Sequence, residues 1–81
     1  MDISAAIMNG AEIACANDKE RNQVLAILDN HGIKECLKGL GDPNGMIISL
    51  FADNSYMVDN EFASTNVVTG AEIIKNNLHI A

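Results

Sequence analysis

Asp42-Pro43-Asn44-Gly45 divides this chain into two regimes. Asp at the first position, Pro with its fixed φ at the second and Gly at the fourth suit a type I turn. Before this turn the apolar residues recur every three or four positions. After it they alternate. A helical period cannot settle as a strand, nor the reverse, so the chain reads as α+β with helices leading.

In the leading half, Ile3, Ala6, Ile7, Gly10, Ile13 and Ala14 fall on one stripe and predict a helix over 3–16. Asn9-Gly10 is its weak point, because Gly costs about 1 kcal/mol relative to Ala inside a helix. A second helix is predicted over 18–31. Asn17 followed by Glu20 has the capping-box spacing; Arg21, Val24, Leu25 and Leu28 follow at helical spacing, and Gly32 then Ile33 reads as a left-handed cap with its apolar follower. Ile33, Cys36, Leu37 and Leu40 predict a short third helix over 33–39.

Past the turn, 46–52 and 56–62 read as two antiparallel strands around Asp53-Asn54-Ser55. Parity decides between registers. An even loop would set Ile48 against Asp59. An odd loop, leaving Asp53, Asn54 and Ser55 unpaired, sets Leu50 opposite Val58, Ala52 opposite Tyr56 and Met46 opposite Phe62. One face then carries Met46, Ile48, Leu50, Ala52, Tyr56, Val58 and Phe62, interrupted only by Asn60. A one-residue slip would invert every side chain, so the odd loop is preferred. Ser55 is a poor residue for the positive φ that a three-residue loop wants at its end, and a five-residue loop keeps the same parity. Two strands alone are marginal. Residues 64–68 are a candidate third strand, and Thr69 with Glu72 opens a last helix over 70–78.

Eighty-one residues suit a single small α+β domain. Ten of the apolar residues are alanines, so large core side chains are scarcer than the composition implies. Homodimerisation is one route to more burial. Nothing resembles a basic, apolar leader, and no apolar run approaches the ~18 residues of a membrane span. The expectation is a cytoplasmic protein.

The charge is −6, from 11 acidic and 5 basic residues. Such a chain repels phosphate, which argues against direct binding to nucleic acid or an anionic membrane. A helix–turn–helix over 18–40 would present Lys34 and Lys38 but also Glu35, against that electrostatic term. Catalytic groups are equally sparse. His31 and His79 lie near helix ends, where a cation complements the helix dipole. Cys15 and Cys36 sit in apolar stripes, where a thiol's pKa rises. No CxxC or HxxxH completes a tetrahedral metal site. Asp53, Ser55, Asp59 and Glu61 match a calcium loop in composition but not in spacing. No glycine pattern fits a phosphate loop. The expectation is no catalytic residue, no metal and no cofactor.

What stands out is where the acids fall. Between Lys38 and Lys75 there is no Lys, Arg or His, while Asp42, Asp53, Asp59, Glu61 and Glu72 give that interval −5; the remainder, six acids and five bases, carries −1. The outer hairpin face would show Ile47, Ser49, Phe51, Met57, Asp59 and Glu61. Apolar anchors beside carboxylates are what a surface for a basic protein needs. Ile47, Phe51, Asp53, Met57, Asp59 and Glu61 are the expected partner-binding residues of a small acidic protein-binding module. Its target would be a basic, nucleic-acid-binding protein that it inhibits. Phage-encoded inhibitors of host defence, anti-CRISPR proteins among them, share this size, acidity and lack of catalytic apparatus, a likeness of class alone. The alternative is a structural domain that homodimerises through the hairpin face.

Overall fold

The computed structural model describes residues 3–36, 41–42, 44–61 and 66–77. Among these the fold is α+β, with three helices and a five-stranded mixed sheet. The elements run α1 (Ile3–Met8), β1 (Glu12–Ala14), α2 (Asp18–Asn30), β2 (Lys34–Glu35), β3 (Ile47–Phe51), β4 (Ser55–Asp59), β5 (Val67–Thr69) and α3 (Gly70–Asn77). Across the sheet the order is β2-β4-β3-β1-β5.

The helix expected over 3–16 breaks at its glycine. Gly10 takes φ 60, and the chain closes α1 with a six-to-one bond from Ala11 N–H to Ala6 O and a bond from Gly10 N–H to Ile7 O. This is a Schellman cap, which only a residue without a Cβ enters freely. Beyond it Ala11, Ile13 and Cys15 follow a period of two, and β1 pairs antiparallel with β3 on one side and parallel with β5 on the other. Ile13 thus belongs to the core from the centre of the sheet, not from a helix.

α2 matches its expected span. The Asn17 side chain accepts from Glu20 N–H, and Glu20 reaches back to the N–H of Ala16, one residue beyond the usual box partner. Gly32, at φ 74, ends it with the same Schellman pair, Ile33 N–H to Leu28 O and Gly32 N–H to Asp29 O. The helix expected over 33–39 is not formed at its start. Lys34 and Glu35 are extended and pair parallel with β4, and Cys36 N–H donates to Tyr56 O. Open backbone groups along β4 outcompete the weak propensity of so short a helix. Residues 37–39 lie outside the described residues.

The turn forms as read: Gly45 N–H donates to Asp42 O at 2.8 Å, and Asp42 Oδ1 accepts from Asn44 N–H. The hairpin keeps the expected parity but slides by two residues. Leu50 pairs with Tyr56, Ile48 with Val58 and Phe51 with Ser55. The loop still has three residues, Ala52 to Asn54, and its last one, Asn54, takes φ 65. Asn tolerates the left-handed region far better than Ser, which is what moves the register. The inward face keeps Met46, Ile48, Leu50, Tyr56 and Val58, but the slide moves Ala52 off it into the loop, where it is exposed; Phe62 lies outside the described residues. The third strand does form, at 67–69, but it joins β1, not the hairpin. α3 begins where Thr69 Oγ1 accepts from Glu72 N–H; Leu78 lies outside the described residues.

All three helices lie on one face of the sheet. Ile3 and Ala6 of α1, Val24 and Leu28 of α2 and Ile73 of α3 form one buried cluster with Ile13, Ile48, Leu50, Val58 and Val68. Each large member gains about 1.5–3 kcal/mol from leaving water. Gly70 lets the helices close: a Cβ there would stand 2.7 Å from Glu20 Oε1, so the carboxylate of α2 rests against the start of α3, where the helix dipole favours it.

Candidate functional site: the face opposite the helices

Ladder pairing assigns the second face in rows. Ser55 and Phe51 share one row, Met57, Ser49, Glu12 and Val67 the next, and Asp59, Ile47, Ala14 and Thr69 the third. The buried cluster that the sheet shares with the three helices draws on the opposite face. Ile47, Phe51, Met57 and Asp59 are therefore brought together as the sequence implied, on one surface.

Their exposure differs sharply. Ile47 is only 7% exposed, whereas Phe51 is 38% exposed. Met57 and Asp59 are half-buried. Ile47 is a floor of this face, and Phe51 and Val67, the latter 41% exposed, are accessible apolar groups on it. Asp53 and Glu61 are both exposed but lie at opposite ends of the hairpin. Asp53 sits in the turn, where it accepts from the Ser55 hydroxyl. Glu61 follows β4 at the other end, and the whole of that strand, about 13 Å from Ser55 to Asp59, lies between them.

The acids gather at the Glu61 end. Asp42 N–H donates to Val58 O, which lays the turn along the outer edge of β4. Asn60 Nδ2 then donates to the Asp42 carboxylate, Asn60 N–H to Asp59 Oδ1, and Met46 N–H to Asn60 Oδ1. Asn60, which looked like a blemish on the inward face, is the bracket that sets Asp42 beside Asp59. Two glycines permit this closeness. A Cβ on Gly41 would meet Val58 O at 2.2 Å, and one on Gly45 would meet Asp59 O at 2.3 Å. The other end of the sheet is balanced: Lys34 Nζ bonds Asp29 Oδ1 at 2.7 Å, and that bond raises the Lys34 pKa.

The described cation that reaches the turn is enclosed. Arg21 is 7% exposed; its Nη1 donates to Asp18 Oδ1 at 2.9 Å and, at 3.4 Å, to Gly45 O. Its buried Nε has no partner, a cost of about 1–3 kcal/mol. Arg21 ties α2 to the turn and offers no accessible charge.

One polar pair escapes sequence reading. Ser49 Oγ donates to Glu12 Oε2 at 2.9 Å, and Glu12 is 3% exposed in the middle of the face. The only hint in the sequence is an acid between the apolar residues Ala11 and Ile13. The cysteines are free. Burial, with help from Glu20 and against the pull of Arg21, pushes the Cys15 thiol up to about 11, far from the thiolate that a nucleophile requires. His31 caps α2, its Nδ1 2.9 Å from Ile27 O. Among the described residues no group of three His, Cys, Asp or Glu side chains could hold a metal ion. No described helix is long and apolar enough to cross a membrane.

No family model matches this chain, and neither a curated protein nor a solved structure is significantly similar to it.

Proposed function

We propose that this chain is a small acidic protein-binding module that docks on a basic surface of another protein. The observation that supports the reading is the gathering of Asp42, Asp59 and Glu61 at one end of the hairpin, bracketed by Asn60, with the nearby Arg21 enclosed. Met57 supplies adjoining apolar area. Complementary charge of this kind steers encounter and fixes orientation. On a nucleic-acid-binding target the carboxylates would compete with phosphate for Lys and Arg, making the module an inhibitor. Phage anti-defence proteins, anti-CRISPR proteins included, act this way as a class.

The test is affinity capture on immobilised chain in extracts of the source organism and of any host, followed by titration of the captured protein. Binding should weaken steeply with salt and fall by at least about tenfold in the Asp59→Lys/Glu61→Lys double variant. Binding that is indifferent to salt and unchanged in the double variant overturns the reading.

A further inference from the structure

The same four residues occur twice in this chain, in the same order: Gly10-Ala11-Glu12-Ile13 and Gly70-Ala71-Glu72-Ile73. The first copy turns out of α1 and becomes β1; the second opens α3. Gly10 takes φ 60, whereas Gly70 is the first residue of a helix. Ile13 and Ile73 are both buried in one core cluster, reached from a strand in the first case and from a helix in the second. The glutamates differ. Glu72 is exposed in the first turn of α3, where the helix dipole favours an acid. Glu12 is 3% exposed in the sheet, and taking a carboxylate out of water is unfavourable. For these four residues taken alone, the strand is the costlier setting.

Local sequence cannot separate two identical segments, so their surroundings do. Residues 11–16 hold neither Gly nor Pro, and three of them are Ala, the best helix former. What keeps Glu12–Ala14 extended is pairing, with Ile47–Ser49 on one side and Val67–Thr69 on the other.

We propose that residues 10–16 are a two-state segment: helix, continuous with α1, while β1 is unpaired, and strand once β3 and β5 close on it. The continuous helix over 3–16 reaches the length of roughly 12–15 residues below which an isolated helix is marginal. α1 alone, Ile3–Met8, falls well short of it. The stripe Ile3, Ala6, Ile7, Gly10, Ile13 and Ala14 belongs to that unpaired state. Conversion turns on one residue. Gly10 moves to φ 60, and the bonds from Ala11 N–H to Ala6 O and from Gly10 N–H to Ile7 O close α1 behind it. Closing the sheet buries Ala11, Ile13 and Cys15 together, and that loss of apolar surface drives the change.

Cα chemical shifts of the 81-residue chain read the state residue by residue. In the native protein Glu12–Ala14 should lie on the strand side and 70–73 on the helix side. In the chain held just past its urea transition both copies should lie on the helix side, the first within one run from 4 to 15. Gly10→Ala removes the weak point of that helix and should raise its helix-to-coil ratio roughly fivefold, whereas Ala14→Val should lower it roughly threefold. Neither substitution should move the shifts at 70–73. These readings come from the unfolded chain, so they hold whether or not a variant folds. Helical shifts that stop at Met8, as α1 does, overturn the proposal. So do strand-side or absent shifts at 10–13, whether 70–73 are helical or not.

Discussion

Gly45→Ala makes the packing of the turn measurable. A Cβ at this position would lie 2.3 Å from Asp59 O and 2.5 Å from Asp59 C. Both are backbone atoms of a residue held in the β3–β4 ladder opposite Ile47, so they cannot swing away as a side-chain tip would. Relief needs a shift of about 1 Å to reach an ordinary C···O separation. Such overpacking typically costs 1–3 kcal/mol, against about 0.4–1 kcal/mol returned because alanine restricts the unfolded chain. The net expectation is a loss of about 1–2 kcal/mol, or a Tm lower by roughly 4–15 °C for a domain of this size. Urea unfolding followed by far-UV circular dichroism measures it, with an unchanged slope showing that only stability moved. Gly10 supplies the control. A Cβ there meets nothing within 4 Å, but φ is +60, so Gly10→Ala costs about 1 kcal/mol through conformation alone. Asn tolerates that conformation, so Gly10→Asn should recover part of the loss, whereas Gly45→Asn should recover none. A Gly45→Ala protein as stable as wild type would refute the contact argument, and equal recovery by Asn at both sites would refute the distinction.

Cys15 gives a prediction with a pH window. Its thiol rises from 9.0 to about 11 on folding, so the native state holds the proton more tightly than the unfolded chain. That contribution is intact below pH 9 and is lost as pH climbs from 9 to about 11; Cys15→Ser should flatten the fall in melting temperature across that window. For the same reason an alkylating agent at pH 8 should label half-exposed Cys36 in the native protein and Cys15 only on unfolding, as peptide mapping would show. Ser49→Ala removes the hydroxyl that donates to the buried Glu12 carboxylate and should cost about 2 kcal/mol in urea unfolding, while Ser49→Thr, which keeps a hydroxyl, should cost less.

Local chemistry was legible in the sequence, and long-range pairing was not. Asn17, Gly32, the Asp42–Gly45 turn and the Thr69 cap all act on their immediate neighbours, and each forms where its residues place it. Hairpin parity was also legible, because a wrong parity would bury Asp59. The exact register was not, since both settings keep the same face inward and only the preference of Asn54 for a positive φ separates them. β1 was hidden for a different reason: Ile13 and Ala14 satisfy a helical stripe as well as a strand, and three residues are too few to show their own period. Its partners decide the matter, and they lie far away in the chain. The candidate site divides the same way. Ile47, Phe51, Met57 and Asp59 share a face by alternation, and the place of Asp53 in the loop already sets it apart from Glu61, but nothing local to Asn60 reveals that it ties Asp42 to Asp59.

The central position of β1 has a consequence for how the molecule comes into being. This strand leaves the ribosome well before either of its partners, since it pairs at Ser49 on one flank and at Val67 on the other. Only the β3–β4 hairpin and the individual helices can form from neighbouring segments; the pairings of β1 wait for loops that run from Glu12 to Ser49 and from Glu12 to Val67 to close. During synthesis Ile13 therefore remains without one of its two neighbouring strands until β5 has emerged. Folding is tied to the emergence of β5, and a messenger cut short before it yields a polypeptide with one flank of its central strand open, a ready target for proteolysis.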